Sequence, residues 1–337
     1  MKFAAGFQYR NQGELFSDML PDYRPQLAEV YFSYPGFASG RPERSTCLPD
    51  ALEQIEYELH KIRTMGIKLD LLINGNCYGP GAVSERFYRE IAQLMERLNS
   101  VSLLPEIVTT TSPFAAHSLR KLAPDIEIRA SVNMRIDSPG GMDYLQDLFD
   151  SFYIRRDLQR DLPTVTRFKE WCDRNGKKMG MLLNSGCLRN CPSQTFHDNL
   201  VAHDKEVKTY ENTGWNPHLC WRLYQEKKRY VEFLKSSWIR PEDVQYYEGL
   251  VSFGKLATRQ HHYPRLVIGA YAGGRFDGDL LHLTEPDYSA AFGNHGLDNS
   301  AFPADWHDHA GLCGADCRNC GYCDRVLAKV LRPIPAE

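Results

Sequence analysis

The 337-residue chain lacks the sequence features of several classes of protein, and these absences reduce the number of functions that it could have. No apolar run approaches the ~20 residues that a transmembrane helix needs. The N-terminal stretch MKFAAGFQYRNQGELF has no apolar core of the kind found in signal peptides. We therefore expect a cytoplasmic protein with no membrane partner. The formal net charge of −3 disfavours bulk nucleic-acid binding, although a local RNA site stays open.

Several catalytic and nucleotide-binding motifs are also missing. No G-x-G-x-x-G follows the first predicted strand, and no Walker A pattern occurs anywhere, which removes the usual arguments for nucleotide binding. The chain has neither H-E-x-x-H nor G-x-S-x-G, so it carries no zincin or serine-hydrolase signature. Proteolysis would have to use another arrangement, such as a thiolate paired with a histidine.

Short apolar, β-rich runs alternate with longer amphipathic stretches along the first 260 residues. Eight strands, each followed by a helix or a long loop, predict a (β/α)8 TIM-barrel-like α/β fold; a doubly wound open sheet is the alternative. We predict a barrel-like catalytic domain over 1–260 and a loop-rich, cysteine-bearing extension over 261–337. The predicted strands are 2–7, 28–34, 68–75, 102–110, 127–134, 151–156, 177–184 and 244–257.

Ten cysteines need an explanation other than disulfides in a reducing compartment. Four of them lie in the segment HAGLCGADCRNCGYC with the spacing C-x3-C-x2-C-x2-C. A continuous run of this kind favours a 4Fe–4S cluster, with zinc as the alternative, because zinc sites usually use two separated C-x2-C pairs. The first three cysteines also match the radical S-adenosylmethionine spacing. That interpretation is disfavoured because the motif follows the barrel strands and Asn319 stands where an aromatic residue is usual. The four predicted ligands are Cys313, Cys317, Cys320 and Cys323.

A second cysteine group, GCLRNCP, comes directly off the predicted seventh strand. Loops at strand carboxyl ends build the active-site face of a barrel, so Cys187 and Cys191 would lie where chemistry happens. Cys220 follows within about thirty residues and is a further potential ligand; packing beneath the loop is the alternative for the pair. Cys47 and Cys77 also follow strands and could face the same end of the barrel. Taken singly, each is better interpreted as a small, buried apolar residue. Cys172 lies inside a predicted helix and is interpreted as core.

These segments resemble the collagenase-like peptidase family U-32. The resemblance is carried by LLNSGCLRNCP, by a later strand ending FGKLATR, by YIRRDLQRDLPTV and by EIRASVNM, in order over residues 1–260. The family implies a barrel-type fold and, in its better understood members, a 4Fe–4S cluster held near the loop after strand seven. Several such members act as oxygen-independent hydroxylases of a tRNA or rRNA base or of a ubiquinone precursor, some taking the oxygen from prephenate.

Carried onto this sequence, the resemblance assigns Cys187 and Cys191 to the cluster region and Cys220 as a later ligand. Lys255 and Arg259 match the lysine and arginine of the family's eighth-strand motif. Asn184 stands about where the family has a histidine. The family's full cysteine spacing is not reproduced, and the C-terminal group is not part of the pattern. The chain therefore resembles a divergent member of the U-32 family that could bind one or two metal centres.

We predict an iron–sulfur enzyme that performs oxygen-independent redox modification, such as hydroxylation, of a small-molecule, peptide or RNA substrate. An electron donor and a partner subunit are the expected protein partners. The alternatives are a peptidase that uses a cysteine, such as Cys187 with His197, or a metal centre, and a non-enzymatic metal-stabilised binding protein. The predicted catalytic residues are Lys255, Arg259 and His197, and the predicted cofactor-binding residues are Asn184, Arg129 and Arg155.

Overall fold

The computed structural model describes residues 1–37, 39–40, 49–314 and 316–334. Eight parallel strands close into a barrel in sequence order, and the eighth pairs with the first. The predicted TIM-barrel-like fold is confirmed. Its strands are β1 (Phe3–Gly6), β2 (Leu27–Phe32), β3 (Lys68–Ile73), β4 (Ile107–Thr110), β5 (Glu127–Ala130), β6 (Ser151–Tyr153), β7 (Lys178–Leu182) and β8 (Phe253–Leu256).

Helices between the strands cover the outside of the barrel with apolar faces. In α3, for example, the buried residues recur at helical spacing and Ser84 caps the N-terminus by accepting from the Phe87 N–H at 3.1 Å. The helices of this part are α1 (Phe16–Met19), α2 (Pro49–Thr64), α3 (Glu85–Ser100), α4 (Pro113–Leu122), α5 (Pro139–Asp143), α6 (Leu162–Asn175), α7 (Gln194–Ala202), α8 (Asp204–Val207), α9 (Leu219–Tyr224) and α10 (Val231–Leu234).

Several predicted strands are longer than the observed ones, the eighth most of all. The strand expected over 244–257 is reduced to β8, because Pro241–Tyr247 forms a 3₁₀ helix instead. That helix turns Val244 and Tyr247 into the core, so its apolar residues are buried without joining the sheet.

The interior of the barrel contains charged residues rather than an entirely apolar filling. The Arg129 guanidinium on β5 is 1% exposed, and it pairs with Glu29 of β2 and, at 2.9 Å, with Glu127. It also lies 4.0 Å from the centroid of the Phe253 ring. A Cβ on Gly180 would come within 2.2 Å of that ring, so the glycine makes room for it. The ionic core joins strands from opposite sides of the barrel.

After β8, the chain adds a helix to the outside of the barrel and then a C-terminal region that packs beside the end of β7. The Glu285 N–H donates to the Asn184 carbonyl at 2.8 Å, and the Gly186 N–H donates to the Glu285 carbonyl at 3.2 Å. Buried residues of this region and of the barrel share one continuous apolar core. The elements are α11 (Pro264–Gly273), α12 (Ser289–Phe292), β9 (His295–Leu297), α13 (Trp306–Gly311), α14 (Tyr322–Val330) and β10 (Leu331–Pro333), and β10 pairs antiparallel with β9.

Candidate functional site

A cavity of about 390 Å³ opens at the carboxyl ends of the barrel strands. This is the face on which barrel enzymes place their active sites. Strands β2, β3, β7 and β8 form its floor, and α7, α9 and the segment around residue 286 form its walls. It brings together six of the residues predicted from the sequence, namely Cys187, Cys191, His197, Cys220, Lys255 and Arg259.

Lys255 lies on the cavity floor and is 7% exposed. Its ammonium group lies 3.8 Å from the centroid of the Tyr31 ring and 5.1 Å from that of Tyr153. Burial lowers the pKa of Lys255 to about 8, although the nearby Asp70 carboxylate opposes the shift. Burial also raises the pKa of Asp70 to about 7, against the charge of Arg129. The floor can therefore gain or lose a proton near neutral pH.

Cys187 begins the loop after β7 and contacts a buried arginine. The Arg156 guanidinium donates to the Cys187 sulfur at 3.1 Å and to the Asn133 side-chain oxygen at 3.1 Å. The contact places a fixed positive charge beside a sulfur that could serve as a metal ligand. The pairing of Arg156 with Cys187 was not predicted from the sequence.

The other two thiols of the cavity, Cys191 and Cys220, are partly buried, as Cys187 is. Burial raises the pKa of Cys220 to about 11, with the neighbouring Cys187 as the next cause, and burial also raises the pKa of Cys191. With a raised pKa, both thiols are protonated at neutral pH. On the same wall, the rings of His197 and His218 lie 4.5 Å apart between centroids.

A second cavity, of about 600 Å³, lies between the barrel and the C-terminal region. All four C-terminal cysteines line it, and Arg160 lies against it with its guanidinium 4.9 Å from the centroid of the Trp306 ring. Burial raises the pKa of Cys323 to about 11, whereas Cys317 and Cys320 are exposed to solvent. The run C-x3-C-x2-C-x2-C therefore wraps one cavity that opens to the surface.

The loop that carries Cys187 and Cys191 borders both cavities. Cys187, Leu188 and Cys191 line the cavity at the barrel mouth, while Arg189 and Asn190 line the second. Asn190 adopts a left-handed conformation with φ 54°, and its N–H donates to the Asp157 carboxylate at 3.2 Å. This turn reverses the direction of successive side chains, so the short loop faces two sites.

The donor atoms are of the right kind for a metal or an iron–sulfur cluster, but they are not gathered around a single point. Within the described ranges, no three His, Cys, Asp or Glu side chains form a group that could hold a metal ion. In a 4Fe–4S cluster the cysteine sulfurs are spread over several irons, so they need not converge as tightly as around one ion. The cysteines thus fit a cluster by donor type and by shared cavity.

Three predicted cofactor-binding residues lie elsewhere. Arg129 belongs to the ionic core of the barrel, below the cavity. Arg155 pairs with Asp157 at 2.8 Å. The buried Asn184 side chain accepts from the Ala257 N–H at 2.6 Å and donates to the Leu283 carbonyl at 2.9 Å. None of the three lines either cavity, so we carry none of them into a cofactor role. Cys47 lies outside the described residues.

In the described part of the chain, no helix is both long enough and apolar enough to cross a membrane.

Comparison with known proteins extends these observations. No family's sequence model matches the chain. Over 312 residues the chain is 23% identical to a Methanocaldococcus jannaschii protein named uncharacterized protease MJ1657, and the match covers 90% of this chain and 89% of that protein. The solved structure of the U32 peptidase Mk0906 superposes with a TM-score of 0.55 at 14% identity, covering 75% of this chain and 91% of the other. That superposition shows a shared fold.

Proposed function

We propose that this chain is a divergent member of the U32 peptidase family and an iron–sulfur enzyme that modifies its substrate by oxygen-independent redox chemistry, with hydroxylation as the reaction class. The observation that carries the proposal is the loop 187–191, which borders two cysteine-lined cavities. Cysteines in two such groups are the donors that iron–sulfur clusters use. Cys187, Cys191 and Cys220 would hold one cluster, and Cys313, Cys317, Cys320 and Cys323 a second.

The cavity at the barrel mouth supports a small substrate or a single inserted group. Its volume of about 390 Å³ lies in the range of small-molecule sites. A nucleotide base or an amino-acid side chain presented by an RNA or a peptide would also fit. Lys255 and Arg259 reach the cavity and supply positive charge for an anionic part of the substrate. His197 lies on the wall and is the candidate general acid or base of the site.

The C-terminal site supports a role in electron supply. When bound, iron–sulfur clusters take up and release single electrons at potentials set by charge, hydrogen bonds and exposure. Cys317 and Cys320 face solvent, and Leu312 beside them is 70% exposed. An electron donor or partner subunit could reach this surface, while the loop 187–191 connects it to the barrel mouth. Zinc at the C-terminal site is the alternative, and it would make that site purely structural.

Replacing Cys191 by alanine tests the barrel-mouth site. We expect anaerobically purified Cys191→Ala to lose about half of the iron and of the visible absorbance of the wild type, because one of two clusters loses a ligand. Cys172→Ala is the matched control. Its thiol is 2% exposed inside α6, away from both cavities, so iron should be unchanged. Equal iron in the wild type and Cys191→Ala would remove the barrel-mouth cluster from the proposal.

A peptidase function is the second candidate, because the Methanocaldococcus jannaschii relative is named a protease and the superposed structure a peptidase. The pair Cys187 and His197 lines the same cavity, as that function would require. However, the Cys187 sulfur is contacted by the Arg156 guanidinium, which suits a ligand thiolate as well as a nucleophile. Cleavage that survives iron chelation and is lost in Cys187→Ala would favour this second function.

A further inference from the structure

We propose that Lys255 is a nucleophile of the barrel-mouth cavity and forms an imine with a small ketone or aldehyde. The inference deepens the proposed function, since it rests on the same cavity and names a carbonyl compound as the substrate class. Imine formation needs an uncharged amine beside a space that a carbonyl group can enter, and it needs no metal. The contacts, the surroundings and the protonation of Lys255 meet these requirements.

The amine of Lys255 is enclosed by aromatic rings and not by hydrogen-bond acceptors. It lies 3.8 Å from the centroid of the Tyr31 ring and 5.1 Å from that of Tyr153. It makes no hydrogen bond and no ion pair with any residue of the described ranges. Lys235, which lines the other cavity, is bonded instead, with the Glu232 carboxylate 3.0 Å away. The nitrogen of Lys255 therefore stays available to a substrate.

The carboxylate whose charge acts most strongly on Lys255 is already engaged with other groups. Asp70 accepts from the Thr109 hydroxyl at 2.8 Å and lies 3.6 Å from the Arg129 guanidinium. It therefore acts on Lys255 through its charge and not through an ion pair. The charged and titratable groups that face Lys255 are Glu29, Tyr31, Asp70, Arg129, Tyr153 and Arg259.

The protonation of Lys255 agrees with these contacts. Burial lowers its pKa to about 8 against the charge of Asp70, and the charges of Arg259 and Arg129 act in the same direction as burial. An ordinary lysine has a pKa of 10.5. At pH 7 roughly one Lys255 amine in ten is therefore uncharged, against about one in three thousand for an ordinary lysine. The larger uncharged fraction supports attack on a carbonyl carbon.

The cavity suits a small carbonyl compound that carries an anionic group. Lys255 and Arg259 line the same space of about 390 Å³, together with the apolar side chains of Leu72, Val132 and Leu182. A guanidinium binds a carboxylate through two hydrogen bonds, so Arg259 would position a substrate that has one. The protonated imine has a positive charge, so the cation at the cavity floor is kept after the reaction.

The reaction is a reversible condensation that uses no oxidant or reductant. The uncharged Lys255 amine attacks the carbonyl carbon, a C–N bond forms, and a proton passes from the nitrogen to the oxygen. A further proton lets this oxygen leave as water while the nitrogen lone pair completes the C=N bond. His197, on the wall of the same cavity, is the candidate donor of that proton. The protonated imine draws electrons from the adjacent carbon and favours loss of a proton from it.

The test is reductive trapping on the full-length protein purified without oxygen, with pyruvate as the probe and sodium cyanoborohydride as the reductant. At pH 7 we expect Lys255 to be alkylated at least ~10-fold faster than Lys235, as quantified by mass spectrometry of the peptides. Burial lowers the pKa of Lys235, but the hydrogen bond and charge of Glu232 outweigh it and raise the value. A Lys255 rate no higher than that of Lys235 would overturn the proposal.

Two further measurements separate activation of the amine from simple access to it. Between pH 7 and pH 9 the ratio of Lys255 to Lys235 alkylation should fall about tenfold, because the Lys255 amine loses its proton first. Leu182 is the β7 partner of Lys255 in the sheet and lines the same cavity. Leu182→Glu adds a carboxylate there and should slow alkylation of Lys255 at least ~10-fold at pH 7, whereas Leu182→Gln should keep it. A ratio that does not change with pH would contradict the activated amine.

The iron content of the same preparation keeps this inference apart from the iron–sulfur function. Trapping should be unchanged after iron is removed by chelation, because the imine needs no metal. Alkylation of Lys255 in a protein that binds no iron would support the imine and contradict the cluster. Bound iron without preferential alkylation of Lys255 would contradict the imine and leave the cluster in place.

Discussion

Replacing Arg129 by methionine is expected to lower the free energy of unfolding by about 3–5 kcal/mol, the usual cost of removing one partner from a buried ion pair. The guanidinium is almost fully buried and pairs with Glu29 and Glu127 from two strands. Methionine is similar in length but removes the cation that Glu29 contacts, and it leaves Glu127 with Lys178, 2.9 Å away. Denaturant unfolding followed by circular dichroism measures the loss. The matched control is Arg155→Met, whose partly exposed ion pair with Asp157 should contribute no more than about 1 kcal/mol.

The Arg129→Met deficit should also depend on pH. Burial raises the pKa of Glu127, but the charge of Arg129 outweighs it and holds the value at about 2, below the ordinary 4.5. A depressed carboxylate pKa contributes stability above pH 4.5 that is lost as pH falls towards 2. Arg129→Met has less of this contribution to lose. The difference in the free energy of unfolding between the wild type and the variant should therefore be smaller at pH 3.5 than at pH 7. A deficit below about 1 kcal/mol at pH 7 would contradict the ionic core.

Replacing Cys320 by alanine is expected to remove about half of the bound iron while the barrel stays folded, because the residue serves only the C-terminal cluster in the proposed arrangement. Cys320 is exposed and contributes no buried apolar surface, so the melting temperature should change little through packing. Iron assay and visible absorption after anaerobic purification measure the loss.

Arg318→Ala is the control for Cys320→Ala, because Arg318 lies in the same turn and is exposed. It should keep all of the iron. Loss of all iron in Cys320→Ala would indicate a single cluster shared by both cavities. Loss of none would exclude Cys320 as a ligand, and the relay through the loop 187–191 would then have no second centre.

The barrel was predictable because each strand is a short apolar run between helices, and the position of Cys187 and Cys191 followed from the rule that strand carboxyl ends face the active site. The roles of the arginines were harder to predict from the sequence. Alternation in EIRAS indicates that Arg129 shares a face with Glu127, but not that β2 supplies a further carboxylate across the barrel interior. A single sequence shows which residues share one face of a strand. Which of these residues contact each other depends on how the barrel closes, and that is not visible in the sequence.

The Arg156–Cys187 contact shows the same limit in a site. The two residues belong to the loops after β6 and β7, and no spacing motif connects them. The pairing of β6 with β7 places these loops side by side. The one available signal was the position of each residue after a strand end.

The most direct test of the iron–sulfur proposal is the iron, acid-labile sulfide and zinc content of the wild-type chain purified without oxygen. Two 4Fe–4S clusters predict about eight irons and eight sulfides per chain, with broad visible absorbance. A colourless protein that contains zinc and neither iron nor sulfide would contradict the proposal.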